Sequence, residues 1–233
     1  MFGKPGAAAR AAAFGVLSIS TCLALAACSP VKFGAAAVVG GQRISLSALD
    51  TQVSNLKAAA APYGSQISLT AAEMPAAVLG WLIKFQIGNQ MAAAAGVSVT
   101  QAQVQAGTAD INSEAAEAAE EEGLSSAQAA LLDAGVTPQM LPDLGLFQAQ
   151  ELAIAEKSNG GKLPTTTAQD NAVSALLTKD QCAAAKYLNI QVNPQFGRLD
   201  YSQLTVVPVN DTLSRPAGTP SPADTSGLTP ASC

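Results

Sequence analysis

The sequence predicts a mainly α-helical domain, of five to six helices closed by short N- and C-terminal β-strands, and three observations carry that reading. The 233 residues are 48% hydrophobic but only 4% aromatic, and alanine, the strongest helix former, is the commonest residue. That balance suits closely packed helices better than the core of a β-sandwich. Apolar residues in the middle of the chain recur at spacings of three and four, the period of a buried helical stripe. β-prone runs appear mainly at the two ends of that stretch. The length allows one domain with accessory segments.

Residues 1–27 read as a secretory signal peptide. Lys4 and Arg10 form a short positive segment, Ala11 to Ala24 is an uncharged apolar run, and Leu25-Ala26-Ala27-Cys28 closes it with small residues before a cysteine. The run is too short and too rich in alanine to span a membrane comfortably. Its ending resembles the lipobox of bacterial lipoproteins, which implies that Cys28 receives a diacylglycerol and becomes the mature N-terminus. Two acyl chains at about 0.8 kcal/mol per buried methylene anchor a protein durably. Residues 28–35, with Ser29, Pro30 and Gly34, form the tether.

The domain proper is expected over residues 36–207. It opens with a β-prone run to Val39, a Gly40-Gly41 turn and a brief return through Ile44. A helix follows, capped by Ser45 or Ser47, with Leu46, Leu49, Val53 and Leu56 as its apolar stripe. Residues 61–68, with Pro62 and Gly64, read as a loop. The strongest helix is expected from Ala72 to Ala95, where Leu79, Ile83, Ile87 and Met91 form a ridge flanked by Val78, Leu82 and Phe85. Lys84, Asn89 and Gln90 argue against a membrane span there.

Gly96 stands where a left-handed C-terminal residue belongs, and Thr100 with Gln103 has capping-box spacing. The helix it starts carries Val104 and Ile111 and ends in Glu114, Glu117, Glu120, Glu121 and Glu122. A helical row of carboxylates is a solvated face rather than a calcium loop. Ser125 or Ser126 opens a short helix through Leu131 and Leu132, stopped by Gly135. Thr137-Pro138 reads as a cap with a first-turn proline, and Pro142 restarts or bends the next helix before Leu144, Phe147, Leu152 and Ile154. After the Asn159-Gly160-Gly161 loop a last helix is expected from Thr167 to Leu188, with Val173, Leu176, Leu177 and Tyr187 as core candidates. Ile190 to Val192 is β-prone, and its pairing with the first strand would close the domain. Residues 208–233, dense in proline, serine and threonine, form a tail with no packed element.

Composition narrows the chemistry. With no histidine and a formal net charge of −5, which becomes more negative once Lys4 and Arg10 leave with the signal, the chain lacks the usual general base and zinc ligand. No paired-carboxylate motif stands out, so neither an enzyme nor a metal site is expected, and no cofactor. Lysine and arginine are scattered singly, which excludes a nucleic-acid stripe. Cys182 and Cys233 either pair, closing the tail onto the last helix, or remain separate thiols.

The ends of the domain also carry a resemblance. Ala37-Val38-Val39-Gly40-Gly41-Gln42-Arg43-Ile44-Ser45 with Ala48-Leu49-Asp50 resembles the opening of the SurA and PrsA type of extracytoplasmic chaperone. Leu82-Ile83-Lys84 and Ala94-Ala95-Gly96-Val97-Ser98-Val99-Thr100 are similar to that family's long second helix and its exit. Residues 188–200, including Ile190-Gln191-Val192-Asn193-Pro194-Gln195-Phe196-Gly197, resemble the ending of actinobacterial lipoproteins with a SurA-like N-terminal domain. Gly40, Gln195, Phe196 and Leu199 depart from the usual Asn, Arg, Tyr and Trp while keeping the turn and the apolar character. The resemblance implies a membrane-anchored chaperone that holds unfolded or exported polypeptides in an apolar cradle. The parvulin isomerase domain of the longer relatives has no room here, and its site typically needs histidine. Trp81, Phe85, Met91 and Phe147 are the candidate client-binding residues; the alternative is that they are simply core. An envelope scaffold that binds one folded partner is the other reading.

Overall fold

The computed structural model describes residues 34–163 and 165–208. The expected signal peptide, the lipid site at Cys28, the Pro/Ser/Thr tail and Cys233 lie outside the described residues. In chain order the elements are β1 (Ala35–Val39), β2 (Gln42–Ser45), α1 (Leu46–Ala60), α2 (Met74–Ala95), α3 (Gln101–Glu122), α4 (Ala127–Asp133), α5 (Leu141–Ser158), α6 (Thr167–Tyr187), β3 (Gln191–Val192), β4 (Arg198–Asp200) and β5 (Thr205–Val207). The mainly helical class with short strands at both ends is therefore observed.

The two ends do pair. β1 lies in the middle of a three-stranded antiparallel sheet, with β2 on one side and β3 on the other. Gly40 and Gly41 both have positive φ, 55° and 87°, as a two-residue hairpin turn requires. The closure is hydrogen-bonded beyond the ladder. The Gly40 N–H donates to the Leu188 carbonyl at 2.9 Å, and the Asn193 N–H donates to the Ala36 carbonyl at 2.8 Å. Asn193 also donates from its side chain to the Ala35 carbonyl. β4 and β5 form a second hairpin that sequence patterning does not reveal, because its strands are three residues long. Gly197 makes that hairpin possible: at φ 132° a side chain there would run into the Val207 carbonyl.

α2 is the axis of the helical part. Met74, Ala76, Val78, Leu79, Ile83, Phe85, Ile87, Met91 and Ala92 are all buried, so the helix has apolar contacts around most of its circumference. It touches α1, α5, α6, β1, β2 and β5. The start is two residues later than expected, with Pro75 in the first turn, and Gly96 ends it in the left-handed conformation at φ 61°.

The caps follow the sequence with one correction, at Thr137. Ser45 caps α1, its hydroxyl accepting from the Ala48 N–H at 3.1 Å, and Ser47 does not. The Thr100–Gln103 capping box is complete, and Ser126 caps α4. Thr137 makes no cap. It is fully buried and its hydroxyl donates to Gln52 Oε1 at 2.9 Å, tying the turn before α5 to α1. Residues 61–66 of the expected loop form 3₁₀ turns.

In α6, Val173 is buried and Leu177 packs on the core, but Leu176 is 46% exposed and Tyr187 88% exposed. Each sits beside an inward-facing neighbour, Leu177 and Leu188, and a step of 100° along a helix carries it off the buried stripe. Ala185 and Cys182 complete that stripe instead.

α3 has few large apolar groups because it packs by close approach. A Cβ on Gly107 would lie 2.8 Å from the Gly145 carbonyl oxygen, and one on Gly145 would lie 2.8 Å from the Val104 carbonyl oxygen. The backbones of α3 and α5 are in contact at that crossing, with Ile111, Ala115 and Ala119 extending the buried face. Replacing Gly107 by alanine gains up to about 1 kcal/mol in helix propensity but forces two backbones apart. A net loss of about 1–3 kcal/mol is expected, read as a lower midpoint in urea denaturation of G107A; an unchanged or higher midpoint would refute the close crossing.

Candidate functional site

A well-formed concavity lies between α2, α3, α4 and α5. It is an open cleft of about 400 Å³, lined by Trp81 of α2, Ile111, Glu114, Ala115 and Ala118 of α3, Ala130 and Leu131 of α4, and Phe147 and Glu151 of α5, among others. Small side chains on α3 and α4 leave the space, and the α3–α5 glycine crossing fixes how far apart the walls stand. Leu131 and Val136 also border a smaller recess of about 190 Å³ beside it.

Aromatic side chains form one side of the cleft. Trp81 is half-buried and tethered, its indole N–H donating to the Ala134 carbonyl at 2.8 Å. Phe85 lies between Trp81 and Phe147, with ring centroids 6.0 Å and 6.2 Å away, within the range of favourable tilted pairs. Phe147 has its place because position 88 is glycine: a Cβ on Gly88 would come within 2.5 Å of the ring. The four sequence candidates therefore divide. Trp81 and Phe147 line the cleft; Phe85 is buried beneath them at 6% exposure. Met91, at 9% exposure, belongs to the core cluster with Leu79, Ile83 and Ile87. Phe85 packs inward against Ile111, Val136, Met140 and Leu144, and Met91, about 120° away around α2, packs into the other core cluster, so neither lines this cleft.

Two ionisable groups that patterning along the chain does not bring together stand at this cleft, Glu151 in its lining and Lys84 of α2 beside it. The Glu151 carboxyl is raised from the ordinary value of 4.5 to about 7. Burial is the main cause, partly offset by the charge of Lys84 and by a hydrogen bond from the Gln181 amide of α6. Lys84 is lowered from its usual value, again chiefly by burial, and its ammonium rests 4.7 Å from the centre of the Trp81 ring. Only the packing of α2 against α5 and α6 brings these groups together. The signal in the sequence was a lysine inside the apolar ridge of α2, noted for its polarity alone.

The remaining expectations fall as follows. Glu117, Glu120, Glu121 and Glu122 are exposed, and no cluster of metal-binding side chains occurs among the described residues. Among those residues no helix is long and apolar enough to cross a membrane. Cys182 is buried at 7% exposure and its sulfur is engaged in a disulfide; pairing with Cys233 falls outside the described residues. On α5, Gln150 donates to Asn89 at 2.9 Å while its own carbonyl oxygen is buried without a partner, a cost of about 1–3 kcal/mol.

No family model matches the chain, and no curated protein or solved structure shows significant similarity to it.

The raised carboxyl has a consequence for stability. Between pH 4.5 and about 7 the folded chain holds the Glu151 proton and the unfolded chain does not. Stability therefore falls as pH rises through that window and stays at the lower level above it. The shift corresponds to an upper bound on the order of 3 kcal/mol. Glu151→Gln is expected to be roughly 1–3 kcal/mol more stable than the parent at pH 8 and about equal at pH 4.5, measured by urea denaturation at both pH values. Equal stability at both would show that burial does not penalise the carboxylate.

Proposed function

We propose that this protein is a lipid-anchored extracytoplasmic chaperone of the SurA-like kind, which holds unfolded or exported polypeptides through the cleft between α2, α3, α4 and α5 and has no prolyl isomerase activity. The observation that carries the reading is the cleft itself. It offers Trp81, Phe147, Leu131 and Ile111 beside small alanines, an open and mainly apolar trough. Such a surface accepts varied apolar segments.

Three further features support it. The strand closure of β1 with β3 gives the domain the bracketed form expected from the sequence resemblance. The lipobox-like Leu25-Ala26-Ala27-Cys28 ending supports anchoring at the outer face of the membrane through a diacylglycerol on Cys28. The absence of histidine from the whole chain supports a non-catalytic role, since imidazole chemistry is closed to it. The scaffold alternative, with one folded partner, has no observation in its favour beyond the same cleft.

The full chain extracted from membranes is expected to suppress aggregation of a chemically denatured protein at near-stoichiometric ratios. Filling the cleft with Ala118→Leu, at a half-buried wall position, is expected to weaken suppression several-fold without loss of helical content. No suppression at large excess of the parent refutes the holdase reading. In the same preparation, a prolyl-peptide isomerisation assay is expected to show only the uncatalysed rate, tens to hundreds of seconds; acceleration would overturn the non-catalytic assignment.

A further inference from the structure

Cys182 of α6 is buried at 7% exposure, three residues before the fully buried Ala185 on the same side of the helix, and its sulfur is engaged in a disulfide. The bond brings a second cysteine of the chain to that side of α6. Three others exist, Cys22, Cys28 and Cys233, and their chemistry separates them. Cys22 sits in the apolar run of the signal peptide and leaves with it. The sulfur of Cys28, once it carries the diacylglycerol, is a thioether with no thiol left to oxidise. Cys233 remains.

We infer that Cys182 is joined to Cys233 and that this bond secures the strands that close the domain. The inference rests on the lipoprotein reading of residues 1–28. The segment has the reach: from Pro208, just after β5, residues 209–233 extend to roughly 80 Å, about twice the width of a domain of this size. Every element of the closure lies inside the covalent loop so made. β3 pairs with β1, the Asn193 N–H donates to the Ala36 carbonyl, and β5 brings the Val206 backbone close to Gly80 of α2. A cross-link that closes a long loop confines the unfolded chain strongly, so it favours the closed domain. Forming it removes two protons and two electrons from the two thiols. One thiolate displaces a sulfur of the disulfide of an exported thiol–disulfide exchange protein, and the second thiolate then displaces that protein from the mixed disulfide. The exchange protein leaves as a dithiol with the two electrons. An extracytoplasmic location permits the reaction.

The test maps the full chain extracted from membranes, with free thiols blocked and no reductant added, by tryptic digestion and mass spectrometry. Cleavage after Lys179, Lys186 and Arg198 places Cys182 in the peptide 180–186 and Cys233 in the peptide 199–233, since trypsin spares the bond between Arg215 and Pro216. These two peptides are expected as one linked species that separates on reduction, in a chain that migrates as a monomer. Reduction is also expected to lower the thermal midpoint of the parent by roughly 5–15 °C and to leave Cys233→Ser, already at the lower value, unmoved. A blocked thiol at Cys182, a bond from Cys182 to a second chain, or a midpoint of the parent that reduction does not change overturns the inference. A bond from Cys182 to Cys28 overturns both it and the lipid anchor. The Cys182 to Cys233 bond beside an unmodified Cys28 thiol overturns the anchor alone and leaves the cross-link standing.

Discussion

Everything else in this fold depends on α2 being buried around most of its circumference. A helix with Val78, Leu79, Ile83 and Ile87 fully or almost fully out of water cannot sit on a surface, so other elements must be recruited to enclose it. α1, α5 and α6 cover it with helices, while β1 and β5 cover it with strands. At roughly 1.5–3 kcal/mol for each large apolar side chain buried, that enclosure is the principal driving force of the domain. It also explains why the chain ends meet. β3 arrives after α6 and joins β1 on the far side from β2, because covering α2 from both ends of the sequence requires the last segment to return to the first.

The cleft exists because the opposite rule governs α3. Where α2 packs through large side chains, α3 packs through their absence, with Gly107 against Gly145 and alanines along the rest of its buried face. Close backbone approach leaves no long side chains to fill the space toward α4, and a trough remains. Trp81 is held at its edge by the Ala134 carbonyl, and Phe147 is seated against Gly88. The aromatic positions are thus set by backbone contacts and rotamer-limiting neighbours.

Placing a carboxyl and an ammonium beside that trough is costly in folding terms. Burial dominates the titration of both Glu151 and Lys84, pushing each toward its neutral form despite their mutual attraction. A buried pair of this kind is weak support for stability. Its retention next to two aromatic rings, in the same cleft that the holdase reading uses, is what gives the site electrostatic as well as apolar character.

The sequence by itself determined the helical class, the run of helices, the Thr100 cap and the serine pairs from which the caps of α1 and α4 come, the left-handed glycine stops and the stripe of α2. These are local: they follow from propensity, from hydrogen bonds within four residues and from a period of 3.6. It also marked the strand-like ends. Only the tertiary structure decided which of the apolar residues face a neighbour and which face the cleft, so Trp81 and Phe147 separated from Phe85 and Met91, and Leu176 and Tyr187 moved from expected core to surface. The β4–β5 hairpin and the Glu151–Lys84–Trp81 grouping were equally beyond a linear reading. The physical reason is the same for each. Direction around a helix is legible from spacing, but what stands opposite a given face depends on where other helices, distant in sequence, are allowed to approach, and here glycines at two crossings set that distance.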